Sequence, residues 1–159
     1  MRAEHGFGPF YCGESELLIL GSFPSVKSRE QAFYYAHPQN RFWRVLALSF
    51  GESVSESLPE KQELLLRHKI ALWDVIESCE ITGSSDSSIK DVLPADIPAL
   101  IAKTSVRRVI LNGRTAGKLF LRFDSLISLP SVCLPSTSPA NASFSLERLI
   151  SEWRPALLG

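Results

Sequence analysis

Five aromatic residues surround one short polar segment near the start of this 159-residue chain. The polar segment is His37-Pro38-Gln39-Asn40, and the aromatic residues around it are Phe33, Tyr34, Tyr35, Phe42 and Trp43. Planar ligands stack on aromatic rings. Phe42 and Trp43 fit the inward face of the helix that follows, so Tyr35 is the better candidate for a stacking platform. Asn40 is a good N-cap for that helix, but a capping amide can also take part in chemistry.

Two other segments combine small residues with hydroxyl groups. Gly21-Ser22-Phe23-Pro24-Ser25 supplies a tight turn whose backbone N–H groups can face a ligand. Leu134-Pro135-Ser136-Thr137-Ser138-Pro139-Ala140-Asn141 places three hydroxyls and two prolines ahead of a predicted helix. Hydroxyls and a helix N-terminus can hold phosphate oxygens without net positive charge. A simple strand-to-helix turn and an ordinary stiff loop explain the same two segments equally well.

Several familiar motifs fail on inspection. The segment Gly113–Lys118 resembles a phosphate-binding P-loop, but it is one residue too short and Leu119 stands where Ser or Thr should hold magnesium. The three cysteines and three histidines are scattered, which excludes the usual zinc and iron–sulfur ligand sets. No metal or cofactor is therefore expected. Asp74 ends a predicted strand and either contributes to a site or pairs locally.

Composition describes a globular protein without a strongly charged coat. Lys and Arg number 17 against 17 Asp and Glu, and 45% of the residues are hydrophobic. Formal neutrality still allows a local basic patch. We expect one domain over residues 1–159, a monomer by default, with reduced cysteines in the cytoplasm. The sequence contains no recognisable signal peptide and no long apolar segment.

The elements that must position these residues alternate between strands and helices. Four short apolar runs predict buried strands at Leu17–Leu20, Ile70–Ile76, Val106–Leu111 and Ser131–Leu134. Helices are predicted at Arg41–Phe50, Pro59–His68, Asp96–Lys103, Arg114–Arg122 and Phe144–Trp153, the last ending before Pro155. Gly83–Ser88 is predicted to be a flexible loop. This order predicts an α/β fold, a three-layer sandwich with a four-stranded parallel sheet flanked by helices.

Each predicted strand is followed by a loop with small or amide-bearing residues. In open α/β sheets, ligands bind beyond the carboxyl ends of the strands. The four loops begin at Gly21, Trp73, Asn112 and Pro135, and they should meet at one edge of the sheet. The sequence therefore predicts a single site that is rich in Asn, Ser and aromatic residues.

The segments GSFPS, YYAHPQNRFW and PSTSPAN together resemble the uracil-DNA glycosylase superfamily. The nearest branches are the mismatch-specific uracil/thymine enzymes and the hypoxanthine-DNA (DNA-deoxyinosine) glycosylases, and the resemblance covers nearly the whole chain. It implies the same four-stranded parallel sheet and a DNA repair enzyme without a cofactor. Mismatch-specific enzymes place a catalytic Asn where this chain has Phe23. Because deoxyinosine glycosylases rely on an Asn further along, the resemblance favours hypoxanthine as the base removed.

The resemblance also implies a role for each residue of the site. Asn40 is the catalytic residue that orients a water molecule, and Tyr35 stacks on the flipped base. Phe23 and Tyr34 complete an apolar pocket, and Asn112 reads the base edge, although a plain turn residue before Gly113 is the alternative. The implied DNA contacts are Ser22, Ser25, Ser136, Ser138, Pro139, Ala140 and Asn141.

The expected partner is double-stranded DNA that contains a deaminated base. A lyase step requires an amine nucleophile. Nothing marks Lys27, near the first loop, as unusual, so we expect a monofunctional glycosylase that leaves an abasic site. Two alternatives stay open: a uracil or mismatched-thymine glycosylase of the same fold, and a non-catalytic module that binds damaged or single-stranded DNA.

Overall fold

The computed structural model describes all 159 residues, and its centre is a sheet of four parallel strands. In their order across the sheet these strands are β3 (Ile70–Asp74), β2 (Leu17–Gly21), β6 (Arg108–Asn112) and β7 (Ser131–Leu134). All three pairs of neighbouring strands are parallel. The three strands other than the edge strand β7 are mostly apolar along their length, as expected for strands covered on both faces.

Helices cover both faces of this sheet. They are α1 (Val26–Gln31), α2 (Phe42–Ser49), α3 (Leu58–Arg67), α4 (Ile97–Ala102), α5 (Arg114–Phe123) and α6 (Leu146–Leu158). Leu17 and Ile19 of β2 pack with buried residues of α2, α3 and α6. Leu18 and Leu20 belong to a separate cluster with α4 and α5. Since side chains alternate between the faces of a strand, β2 contributes to two cores. The predicted three-layer α/β architecture is confirmed.

A second sheet, which was not predicted, lies beside the first. Its strands β1 (Arg2–Glu4), β4 (Ile76–Glu80) and β5 (Lys90–Pro94) are antiparallel, with β4 in the middle. The prediction of one strand over Ile70–Ile76 is therefore wrong, because β3 ends at Asp74. At Val75 the backbone N–H donates to the Gly21 carbonyl at 2.9 Å and the carbonyl accepts from Ala95. These two bonds turn the chain out of the first sheet and into the second.

Two other predicted boundaries need correction. β6 begins two residues later than predicted and extends through Asn112. The last helix does not end before Pro155 but continues to Leu158. Proline removes one hydrogen bond of the helix. The final turn is nevertheless held, because Leu157 is buried and the Arg108 guanidinium donates to the carbonyls of Ala156 and Leu157.

The remaining differences concern short elements. Helix α1 was not predicted, and the stretch predicted as a loop over Gly83–Ser88 contains a 3-10 turn at Asp86–Ser88. The longest helix has 13 residues, and none of the helices is long and apolar enough to span a membrane.

Candidate active site

A cavity of about 960 Å³ lies at the carboxyl ends of the parallel strands. The loops after β2, β6 and β7 contribute to its walls, as the sequence predicted. The predicted loop after the second strand does not: β3 contributes only its last residue, Asp74, and the fourth loop at the cavity is residues 84–87, which follow β4. All twelve residues singled out from the sequence line it: Ser22, Phe23, Ser25, Tyr34, Tyr35, Asn40, Asn112, Ser136, Ser138, Pro139, Ala140 and Asn141. The fold therefore brings them to one place, although their individual roles stay predictions.

Asn40 stands at the cavity just before helix α2. The N-cap position of this helix belongs to Arg41, which makes no capping bond with its side chain. Asn40 Oδ1 instead accepts the backbone N–H of Phe42 at 2.9 Å and the hydroxyl of Thr137 at 2.8 Å. Two donors thus hold the oxygen, while Nδ2 has no partner within the protein. The amide is oriented and one end of it is free.

Asn112 ends β6 and is fixed by the same threonine. Its Nδ2 donates to Thr137 Oγ1 at 3.0 Å, and its Oδ1 accepts the backbone N–H of Thr137 at 3.1 Å. Thr137 is fully buried, with 0% exposure. One threonine therefore joins the two asparagines predicted to act on the base. Sequence reasoning noted its hydroxyl only as one of three in the loop, since burial is not visible in the local pattern.

Arg41 connects the segment around Asn40 to the loop after β7. Its guanidinium donates to the carbonyls of Ser138 at 3.1 Å, of Asn141 at 3.0 Å and of Phe144. Its backbone N–H donates to the carbonyl of Thr137. The planar group with several donors suits this clustering of carbonyls. Arg41 was missed because its partners lie about 100 residues away in the sequence.

Tyr35 has the strained backbone typical of functional sites. Its φ of 53° lies in the left-handed region that bulky residues rarely adopt. One ring face stacks on Phe42 with 4.0 Å between centroids. Its buried hydroxyl has no hydrogen-bond partner. Burial raises the pKa of Tyr35, and the nearby charge of Asp74 raises it further, so the hydroxyl keeps its proton.

Phe23 and Tyr34 are both buried, and each has a different set of contacts. The Phe23 ring packs against Ile76 and Cys79, with the Arg29 guanidinium 5.2 Å from its centroid. Tyr34 is 2% exposed, and its hydroxyl donates to the Gly8 carbonyl at 2.8 Å. Tyr34 is therefore chiefly a core residue, although it also lines the cavity.

The predicted DNA-contacting hydroxyls already accept hydrogen bonds within their own loops. Ser25 Oγ caps α1 by accepting the N–H of Ser28. Ser136 Oγ accepts the N–H of Ser138, and Ser138 Oγ accepts the N–H of Ala140, each at 3.1 Å. A hydroxyl that accepts a backbone N–H keeps its own hydrogen for another acceptor. Ser136 and Ser138 can therefore shape their loop and still donate to a phosphate, whereas Ser25 Oγ already donates to Ser28 Oγ at 3.2 Å.

The other predicted contacts have different surroundings. Ser22 Oγ donates to the carboxylate of Asp86, 3.0 Å and 3.1 Å from its two oxygens. Asn141 Nδ2 donates to the Ser136 carbonyl at 3.0 Å. Pro139 and Ala140 are exposed at the tip of the loop.

Asp74 and His5 form a buried pair beside the cavity. His5 Nε2 lies 2.7 Å from Asp74 Oδ2, and the two residues are 2% and 3% exposed. Asp74 lines the cavity at Gly21, where a methyl group would lie 2.4 Å from Asp74 Oδ1 and 3.1 Å from the Tyr35 hydroxyl. Glycine is required there for this close approach. Asp74 thus pairs with a residue 69 positions away in the sequence and also lines the cavity, while a role in the site stays a prediction. His5 precedes all recognised motifs and gave no signal.

Comparison with known proteins places these features in a family. Residues 9–157 match the family model of the Uracil DNA glycosylase superfamily. A protein named Hypoxanthine DNA glycosylase from Methanosarcina acetivorans is 36% identical over 155 residues, which cover 94% of this chain and 95% of that protein. A protein of the same name from Methanosarcina barkeri is 36% identical over 117 residues, covering 72% and 74%.

A solved structure agrees with this family and with the fold. It is the solution NMR structure of a candidate uracil DNA glycosylase from Methanosarcina acetivorans. Its TM-score is 0.85 at 34% sequence identity, and the match covers 99% of this chain and 97% of the other.

Proposed function

The chain belongs to the uracil DNA glycosylase superfamily, and on that premise we propose that it removes hypoxanthine, the deamination product of adenine, from double-stranded DNA by hydrolysis. The observation that carries the proposal is the pair of amides, Asn40 and Asn112, which one buried threonine holds at the cavity. The names of the two relatives support hypoxanthine as the base. Phe23 supports it too, since this ring stands where the mismatch-specific uracil enzymes that the chain resembles place a catalytic Asn.

The base must leave the duplex to reach this cavity. Extrusion costs a few kcal/mol, and stacking on an aromatic ring returns about 1–3 kcal/mol. We assign that stacking to Tyr35, whose ring has one face against Phe42 and is backed by the core. Phe23 provides apolar surface beside it. A cavity of about 960 Å³ has room for a purine together with part of its nucleotide.

Bond cleavage develops positive charge on the sugar and negative charge on the departing base. Asn40 is a weak base, so its role is to place the attacking water rather than to deprotonate it in advance. Its free Nδ2 holds the water, whose oxygen adds to the sugar carbon as the base leaves, and the proton that this water loses is taken up by the departing base. Asn112 keeps a second hydrogen on Nδ2 and a second lone pair on Oδ1 for the base edge. The products are free hypoxanthine and an abasic site.

The DNA backbone is held by the two serine-containing loops. Ser136 and Ser138 each keep a hydroxyl hydrogen that can donate to a phosphate oxygen, and Ser25 can donate to one after giving up its bond to Ser28 Oγ. Ser22 does so after exchanging the Asp86 carboxylate for a phosphate. Asn141 shapes the same loop, and the exposed Pro139 and Ala140 at its tip enter the space that the base leaves.

The whole chain acts as one domain, as a monomer and without a lyase step. We place it in the cytoplasm, together with the DNA on which it acts.

The test is base release from matched duplexes that contain one deoxyinosine, one deoxyuridine or one mismatched thymine. Alkali then converts abasic sites into breaks that are resolved on a gel. The proposal predicts that deoxyinosine is cut fastest and that no break forms without alkali. Faster cutting at deoxyuridine would instead identify a uracil enzyme. Binding without any cutting would identify the non-catalytic module.

A further inference from the structure

The cavity contains a carboxylate with one oxygen already engaged and one free. Asp74 Oδ2 is bonded to His5 Nε2 at 2.7 Å. Asp74 Oδ1 has no hydrogen-bond partner in the protein and lies beside Gly21 at the cavity wall. The neighbouring Tyr35 hydroxyl does not bond to it, although both lie close to the same point. A buried carboxylate oxygen without a donor is costly, so a ligand that brings a donor is favoured there.

His5 is arranged so that it can occupy only the other oxygen. Its ring is held between Phe7, 4.4 Å away between centroids, and Tyr34, 6.0 Å away. Because a carboxylate accepts hydrogen bonds, Nε2 carries the hydrogen, and Nδ1 is left buried without a partner. Of the two carboxylate oxygens, Oδ2 is therefore directed at the His5 ring, and Oδ1 is the one left without a partner beside the cavity.

We propose that Asp74, oriented by His5, selects hypoxanthine by accepting its N1–H through the single free oxygen Oδ1, an inference that rests on the proposed function. Hypoxanthine carries N1–H beside the acceptor O6. Asn112 Nδ2 supplies the donor for O6, since it keeps one hydrogen after bonding to Thr137. The two side chains together match this edge of the base, an acceptor for its donor and a donor for its acceptor.

The same arrangement disfavours the two normal purines of DNA. Adenine has a lone pair at N1 and an amino group at position 6. Its N1 acceptor would face the acceptor Asp74 Oδ1, and its amino donor would face the donor Asn112 Nδ2. Guanine shares N1–H and O6 but adds an amino group at position 2. That group needs an acceptor beside Oδ1, and the other oxygen of Asp74 is directed at the His5 ring. An unpaired buried donor or acceptor is what makes a site reject a close analogue strongly.

The substitution Asp74→Asn tests the first part of this inference. The Asn oxygen keeps the bond to His5 and the amide NH2 replaces Oδ1, so the cavity presents a donor where N1–H needs an acceptor. We would measure dissociation constants for three uncleavable duplexes, in which a 2′-fluoroarabino sugar carries hypoxanthine, adenine or guanine. The hypoxanthine-to-adenine preference should fall at least about tenfold relative to the unaltered protein. A purely structural role would weaken all three equally, and an unchanged preference overturns the inference.

Two further variants test the part played by His5. His5→Leu removes the donor to Oδ2, and the hypoxanthine-to-guanine preference should fall about tenfold. His5→Gln can still donate to Oδ2 and should keep most of that preference. If the hypoxanthine-to-guanine preference were the same in His5→Leu and in His5→Gln, the role of His5 would be overturned. The matched control is Asp124→Asn, which alters a buried carboxylate that does not line the cavity.

Deoxyinosine cleavage by the unaltered protein distinguishes a failure of the proposed function from a failure of the selection by Asp74. If the unaltered protein does not release hypoxanthine, the proposed function fails first. If it does and Asp74→Asn leaves the preferences unchanged, only the selection by Asp74 fails.

Discussion

The buried hydroxyl of Thr137 should matter for both stability and turnover, and Thr137→Val removes it while keeping the shape of the side chain. The change breaks the bonds to Asn112 Nδ2 and to Asn40 Oδ1. Asn112 is then left with a buried donor, which costs about 1–3 kcal/mol, and the bond to the more accessible Asn40 contributes about 1 kcal/mol. A total loss of about 2–4 kcal/mol should lower the melting temperature by about 4–16 °C in a domain of this size.

The effect on turnover follows from what remains around Asn40. Its oxygen keeps the bond from the Phe42 N–H, so the amide stays near the cavity but loses one of its two restraints. Misplacing a catalytic group by about 1 Å can lower the rate about 100-fold. We therefore expect hypoxanthine release to slow about 10- to 100-fold while affinity for deoxyinosine DNA changes little.

The assay is single-turnover release at saturating enzyme, below the melting temperature of the variant, with DNA affinity measured separately by fluorescence anisotropy. The control is Thr104→Val, which removes a hydroxyl with two local hydrogen bonds outside the cavity. It should lose stability without losing turnover. A folded Thr137→Val protein with the original rate would refute the view that this hydroxyl orients Asn40.

Three further predictions concern other parts of the structure. Arg41→Lys should weaken DNA binding about tenfold in anisotropy titrations, because a lysine cannot donate to all three carbonyls of the loop after β7. Unchanged affinity would mean that this loop keeps its conformation without Arg41. Burial raises the pKa of Asp124 from its ordinary 3.8 to about 6, and the charge of Asp96 raises it further. Between about pH 4 and pH 6 the folded protein therefore holds a proton that the unfolded chain releases, and the folded state loses stability as the pH rises through this range. Asp124→Asn should therefore flatten urea-denaturation stability over that range and raise it by about 1 kcal/mol at pH 7–8, whereas an unchanged pH profile would contradict the shift. Phe23→Asn, which restores an amide at the position used by uracil enzymes, should raise deoxyuridine release relative to deoxyinosine release in the gel assay, and an unchanged ratio would show that Phe23 does not set the base preference.

The sequence predicted the main sheet well because β2, β3 and β6 are buried on both faces. Such strands read as short continuous apolar runs, as in Leu17–Gly21, and the loops after them must meet at one edge. The second sheet was missed because its strands carry no such signal. Lys90–Pro94 contains two charges and a proline, and it is a strand only because it pairs with Ile76–Glu80.

The candidate site divides in the same way. Residues in local motifs, such as Asn40 and Ser136, were found because the motif and the site coincide. His5, Arg41 and the bonding role of Thr137 were not found, because their contacts join segments that are about 70 to 100 residues apart. Long-range hydrogen bonds of this kind leave no period or spacing in a single sequence.

The most direct test of the account is hypoxanthine release by Asn40→Ala under single-turnover conditions. The variant loses the bonds that Asn40 Oδ1 accepts from the Phe42 N–H and from the Thr137 hydroxyl, each worth about 1 kcal/mol, so it should still fold and still bind deoxyinosine DNA. The account predicts that release nevertheless becomes too slow to detect. A folded Asn40→Ala protein that releases hypoxanthine at close to the original rate would show that Asn40 only begins a helix, and it would contradict the central claim.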